Sequence, residues 1–448
     1  MFASFVKFLK AHGQYTILVL VIFLLPWQAQ YIFQQGSLGG ELWQYGTVSL
    51  YAVDILIILL CLSVVLSKRR EQRTFPAYLW FVLCAIMAAA FFSVIFAQNQ
   101  LVSWYHVLVL FEGIALFWLL SREFFSSHSI SFALVSAGIL QSVLATVQFF
   151  TQKVFSSTLL GTALHVPEQV GQSVIEADGR FLRAYGTFQH PNLLAAFLAI
   201  CLLFGIARYL TSRGKGERSY IISGIMLMTF ALVLTMSRAA WGIFGAAFVV
   251  AIAIFCLTDH FKLIRRKVYF LVIAVALSLA AGVMMTAPLI TTRIQGEARL
   301  EVQSTTERLS GYQDAWKIFK DSWLHGTGIG MFTETVHLRV DPSRPMWEVQ
   351  PVHNIYVLIT DEISIFGIVF FLLLIYEVVQ MSLRKARGFS EPWGIMVLIT
   401  LLSTLVFGLF DHYFWTLHSG VLLFWVVLGL SVSYANKGYS QDVDKSYP

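Results

Sequence analysis

The chain has 448 residues, of which 57% are hydrophobic and 12% charged, and carries a formal net charge of +6 at pH 7. Soluble domains carry about 25% charged residues, so a water-soluble globular enzyme is excluded as a description of this surface. The cations border apolar runs, which points to lipid headgroups and anionic lipid-linked substrates as partners and away from nucleic acid.

Crossing the roughly 30 Å hydrocarbon core takes about 20 apolar residues. Runs of that kind predict spans at 15–33, 48–66, 76–97, 101–121, 129–149, 188–211, 219–236, 239–258, 268–287, 353–379, 392–410 and 416–434. The predicted fold is an all-α polytopic membrane protein of about twelve transmembrane helices, with a large, partly helical loop between the ninth and tenth. Lys7 and Lys10 precede the first run. No small-residue cleavage site follows, so this run is read as an uncleaved span rather than a signal peptide. Asp54 and Glu112 fall inside apolar spans, where each is expected to pair with a cation or stay protonated. Cys61, Cys84, Cys201 and Cys256 also lie within apolar runs and read as small buried residues. No CxxC or Cys/His spacing suggests a metal ligand set.

Basic clusters at 67–73, 212–219, 262–267 and 384–387 set the orientation, because cytoplasmic loops carry an excess of Lys and Arg. Both termini are then cytoplasmic. The chain divides into 1–287, with nine spans and an external loop at 150–187; 288–352, a large external loop; and 353–448, with three spans and a cytoplasmic tail. The external turns near 34–47, 98–100 and 411–415 contain no Lys or Arg, whereas the two long loops hold several. Cations kept on the outer side suggest an anionic ligand there, although long loops translocate regardless of charge.

Within 288–352, Ser304-x-x-Glu307 reads as a capping box. Leu309, Tyr312, Trp316 and Phe319 then repeat at helical spacing, predicting an amphipathic helix over 305–320 against the membrane face or over the bundle. Arg308 would sit in its first turn, beside free N–H groups suited to a phosphate. Glycines at 326, 328 and 330 permit close backbone approach to a ligand or another helix, and no Walker lysine accompanies them. Arg238 occupies a very short external turn between two spans, a costly position that marks a site. His190-Pro191-Asn192 and His353-Asn354-x-Tyr356 stand at the external entrances of spans. There Asn192 and Asn354 are expected to satisfy backbone groups. Asp361 and Glu362, about two turns below His353, orient it or pack in the bundle.

Arg183-Ala-Tyr-Gly-Thr-Phe-Gln-His-Pro-Asn-Leu-Leu-Ala195 resembles the GTFxHPNxLA signature of the O-antigen ligase superfamily. Ser237-Arg238-Ala-Ala-Trp241, Glu307-Arg308 followed by Trp316, Gly326-Thr-Gly-Ile-Gly330 and His353-Asn354-Ile-Tyr356 follow in that family's order. The resemblance covers roughly 180–380 and implies a GT-C-like transferase in the bacterial inner membrane, with its site on the periplasmic side. Such enzymes move a glycan from undecaprenyl diphosphate to an acceptor hydroxyl. Ligation to lipid A-core is the first expectation, with a Wzy-type polymerase or a protein O-oligosaccharyltransferase as alternatives. The resemblance further implies that Arg183, Arg238 and Arg308 bind the diphosphate and that His353 is catalytic. His190, Asn192, Asn354 and Tyr356 are then expected to line the substrate site. No cofactor and no metal is expected, since no external carboxylate pair stands ready for Mg²⁺. A transporter or lipid flippase is the alternative from another class, although no half-to-half repeat supports it.

Overall fold

The computed structural model describes residues 2–66, 76–121, 127–297, 299–345, 348–386 and 391–436, with side-chain detail from residue 13 onward. The basic cluster at 67–73, the end of the one at 384–387, the side chains of Lys7 and Lys10, and the C-terminal tail lie outside the described residues.

The chain begins with α1 (Phe2–Phe23), followed by β1 (Gln30–Gln34), β2 (Ser37–Leu38), β3 (Glu41–Leu42) and β4 (Val48–Tyr51). β1 pairs antiparallel with β4, and β2 with β3. Next come α2 (Ala52–Val65), α3 (Ala77–Val94), α4 (Gln100–Ser121) and α5 (Ser127–Thr151). An antiparallel pair, β5 (Val174–Glu176) and β6 (Arg180–Leu182), lies in the loop before α6 (Pro191–Thr211). Then follow α7 (Lys215–Leu234), α8 (Arg238–Leu257), α9 (Arg265–Gln295), α10 (Arg299–Ser322) and α11 (Phe332–Thr335). The last elements are α12 (Ile355–Ala386), α13 (Pro392–Phe410), α14 (Tyr413–Thr416) and α15 (His418–Asn436).

Among the described residues, ten helices are long and apolar enough to cross a membrane, and shorter apolar helices at Gly13–Phe23 and Ala52–Val65 fall in the first two predicted spans. Helices satisfy their own backbone groups, which is what a segment in hydrocarbon requires. Pro191 and Pro392 open α6 and α13 at the position where a missing N–H costs nothing. The apolar window of α6 is 100% buried and that of α15 94%, against 33% for α8. The first two therefore form the centre of the bundle, and α8 lies at its rim.

Alternate connections meet at one end. The Trp27 indole donates to Leu159 O, and Gln28 N to Leu160 O. The Trp43 indole reaches Thr333 Oγ1 at 2.9 Å, and the Tyr45 hydroxyl reaches Gln350 Oε1 at 2.9 Å. The loops before α2, α6 and α12 thus form one structured cap.

Residues 288–352 are mostly helical. α9 kinks at Thr286, just before Pro288, and then continues to Gln295, where Gly296 adopts a left-handed cap. The capping box expected at Ser304 and Glu307 is not formed. α10 begins at Arg299, so Ser304 is already interior, and Glu307 Oε1 accepts from Gln303 Nε2 one turn back. Arg-Leu-Glu-Val-Gln (299–303) are mostly good helix formers, and they extend the helix past the local cap signal. Arg308 consequently lies well inside the helix, not in its first turn, and no free N–H groups accompany it. The packed face of α10 is Gly311, Asp314, Ala315, Ile318 and Ser322, while Leu309, Tyr312 and Trp316 of the apolar stripe point outward. α10 covers the bundle with its small residues and turns its aromatic residues away.

α12 is broken at Ile363 and Ser364, the latter at φ +75°. The glycine-rich stretch plugs this break. Thr327 N donates to Asp361 O and Gly328 N to Glu362 O, while Ile365 N donates to Trp323 O. The Glu362 carboxylate accepts from Gly330 N at 2.9 Å, Phe332 N at 3.2 Å and the Trp415 indole at 2.7 Å. The glycines serve a helix contact, and Glu362 fixes the loop. Gly330 sits at φ +78° with the His106 ring where a Cβ would lie. Gly330→Ala should therefore cost about 1–3 kcal/mol, read as lower thermal stability in detergent. An unchanged melting temperature would mean that the loop does not dock in this way.

The two intramembrane acids also find a partner. Asp54 and Glu112 both face His418 at the start of α15.

Candidate active site

The site is assembled by the cap. His353 lies just before α12, and its Nδ1 is 3.2 Å from Asp411 Oδ1. Asp411 ends α13, and its other oxygen accepts from Asn192 Nδ2 at 2.9 Å. Asn192 Oδ1 in turn accepts from Arg183 Nη2 at 2.6 Å. A carboxylate can only accept, so His353 Nδ1 carries the hydrogen and Nε2 is the basic nitrogen. The His353 side chain keeps 21% of its surface exposed, whereas Asp411 is buried. Burial alone would raise the Asp411 carboxyl, but the charge and hydrogen bond of His353, with Arg308, hold it well below the usual carboxylate range. Asp411 is thus an anion that steadies His353.

His412 stacks edge-on against His353 at 5.1 Å and bonds Thr416 Oγ1 through Nδ1 at 2.7 Å. Burial lowers its pKa to about 3, so it is neutral at ordinary pH. His353, Asp411 and His412 each offer a donor atom close enough to share a cation. As they stand, they are a hydrogen-bonded pair with a neutral imidazole beside it.

Arg238 opens α8 from the turn Thr235–Ser237, in which Met236 takes φ +52°. Its Nη2 lies 3.2 Å from Glu301 Oε2, and 41% of its side chain is exposed. Glu301, buried in the first turn of α10, also pairs with Arg293. Arg293 holds the turn by donating to Met236 O at 3.0 Å. Arg308 reaches Phe410 O at 3.4 Å, next to Asp411, and its charge acts on both Arg238 and Asp411. One partly exposed cationic surface, Arg238 with Arg308, therefore borders the His353 ring.

Arg183 is placed differently from the expectation. It is buried, with Nε on Thr235 O, Nη1 on Ser173 Oγ and Nη2 on Asn192. Burial, then the neighbouring Arg293, pull its pKa down to about 9, so it stays charged at neutral pH. Its donors hold the protein together: the α7–α8 turn, the 150–187 loop and Asn192. Asn192 does not cap α6; His190 does, accepting from Asn192 N through Nδ1 at 3.1 Å. Burial, then Arg183, lower the His190 pKa to about 3, consistent with a neutral cap. Asn354 caps α12 through Tyr356 N and Val357 N, as expected, and bonds the Tyr312 hydroxyl. The Tyr356 hydroxyl donates to Leu405 O, which places the ring in the α12–α13 seam rather than in the site. Sequence reasoning missed Asp411, His412, Arg293 and Glu301. An Asp-His pair leaving a span on the predicted outer face was the available signal for the first two.

Residues 223–372 match the family model described as O-antigen ligase. This match, over about a third of the chain, supports the resemblance to the O-antigen ligase superfamily. Arg238, Arg293, Glu301, Arg308 and His353 all lie inside the matched O-antigen ligase segment, and Arg183, Asn192 and Asp411 lie outside it. The superfamily match supports an O-antigen processing enzyme of glycosyltransferase type that works on a lipid-linked glycan and a glycan acceptor. No curated protein matches the chain.

Proposed function

We propose that the protein transfers a glycan from undecaprenyl diphosphate to an acceptor hydroxyl at the periplasmic face of the inner membrane, and that it acts as an O-antigen ligase on lipid A-core. The observation that carries this reading is the His353–Asp411 pair beside Arg238 and Arg308, within one cap of a polytopic bundle. The break in α12, which in a transporter would line a pathway, is here filled by the 326–330 loop.

In the proposed step, the acceptor oxygen attacks the anomeric carbon and the carbon–oxygen bond to the diphosphate breaks, with inversion. The hydroxyl proton passes to His353 Nε2, and undecaprenyl diphosphate leaves with one more negative charge. Arg238 and Arg308 bind that growing charge in the way Mg²⁺ does in other transferases, and guanidinium forks suit phosphate oxygens. Arg183 belongs to the framework that positions Asn192 and Asp411, not to the diphosphate site.

Arg238→Lys keeps the charge but loses the fork. Transfer from a defined undecaprenyl-diphosphate glycan should fall about 10–100-fold. Wild-type transfer would show that bidentate geometry at this position is irrelevant. The ligase assignment is tested in a deletion strain. Accumulation of carrier-linked polymer supports it, loss of polymer with single-unit attachment retained would make the protein a polymerase, and transfer to a protein hydroxyl would make it an O-oligosaccharyltransferase.

A further inference from the structure

Asp54 of α2, Glu112 of α4 and His418 of α15 bring three ligand-type atoms to one point, in a group distinct from His353, Asp411 and His412. His418 Nε2 lies 2.8 Å from Asp54 Oδ1 and 3.1 Å from Glu112 Oε2. All three atoms fall within 4.8 Å of one another. Nε2 carries at most one hydrogen, and oxygens of both carboxylates lie within reach of it. That hydrogen cannot satisfy both, in a site where Asp54 is only 8% exposed. Glu112 Oε1 is buried without a hydrogen-bond partner.

The surroundings hold these atoms in place. Tyr51 N donates to Asp54 Oδ2 at 2.8 Å, which aims Oδ1 at the imidazole. The Tyr51 ring stacks on His418 at 4.1 Å and 5°. Such supporting contacts are typical of groups that orient metal ligands. The charges point the same way. Two carboxylates and one imidazole in a buried site need two positive charges for neutrality, and a divalent cation with neutral His418 supplies both.

We propose that Asp54, Glu112 and His418 bind a divalent cation of the Zn²⁺ or Mn²⁺ class, for which mixed imidazole and carboxylate ligands are suited. The ion fastens α2, α4 and α15 together. It also supports the neighbouring cap, because the Tyr51 hydroxyl accepts from Gln189, the residue before His190. It takes no part in the transfer step.

The test is metal content by mass spectrometry and thermal unfolding with and without EDTA. It is made on full-length protein purified in detergent from cells supplied with Zn²⁺ and Mn²⁺. Wild type and His353→Ala should retain a stoichiometric ion that Asp54→Asn and His418→Gln lose. EDTA should lower the wild-type melting temperature by several degrees and leave Asp54→Asn unmoved. Glu112→Gln supplies the same comparison where a variant fails to fold. Wild-type protein without metal above background and indifferent to EDTA would overturn the proposal, as would an ion kept by the triad variants or lost from His353→Ala.

Discussion

Replacing His353 by alanine should abolish glycan transfer while leaving the amount and dispersity of the membrane protein unchanged. The side chain precedes α12, is one-fifth exposed, and has Asp411 as its hydrogen-bond partner and His412 against its ring. Removing it opens no core cavity, so the effect falls on chemistry. A positioned base contributes about 10²–10⁴-fold, and the loss should appear in kcat. Donor binding should survive, because Arg238 and Arg308 are held by Glu301 and Phe410 O rather than by the imidazole. In vitro transfer from a defined undecaprenyl-diphosphate glycan, with donor binding measured separately, checks both parts. Wild-type turnover would remove His353 from the mechanism. Full activity in His353→Gln would leave it the role of orienting the acceptor.

The spans were legible because hydrocarbon imposes a single demand, long apolar runs, that composition reports directly. His353, Arg238 and Arg308 drew attention in the sequence because each is a costly residue at a membrane border or in a long loop. Asp411 did not, since its meaning comes from partners far away in the chain: His353 is 58 residues distant and Asn192 is 219. Read locally, Asp411 is only the end of α13. Arg183 misled for the related reason that sequence cannot tell which way a guanidinium points, and here it turns inward. The start of α10 misled because Ser304 and Glu307 form a valid local signal that five helix-forming residues before them override. The glycines at 326–330 were correctly read as a close approach, but whether to ligand or helix depended on the break in α12.

These corrections change the design of the site. Arg183, Asn192 and Asp411 form a line of hydrogen bonds that starts in the 150–187 loop, passes the start of α6 and ends on His353. Each link joins a different connection of the cap, so assembling the cap and orienting the imidazole are one event. Of the two cations proposed to meet the diphosphate, Arg238 of α8 is held by a different acid, Glu301, and Arg308 of α10 by Phe410 O. The acid beside the proposed base and the acid beside Arg238 are therefore separate carboxylates.

That separation makes Asp411→Asn the sharpest test of the base side. Asp411 receives only donors: Asn192 Nδ2 on one oxygen, and His353 Nδ1 with His412 N on the other. An asparagine must turn its NH₂ toward one of them. Facing His353, it forces the imidazole into the tautomer whose hydrogen sits on Nε2, where the acceptor proton should go. Facing Asn192, it breaks the line to Arg183. Either arrangement should lower kcat by about 10²–10⁴-fold with little change in donor KM. A purely structural role for Asp411 predicts lost stability with kcat of the folded protein unchanged. Wild-type kcat in Asp411→Asn would exclude Asp411 from the reaction.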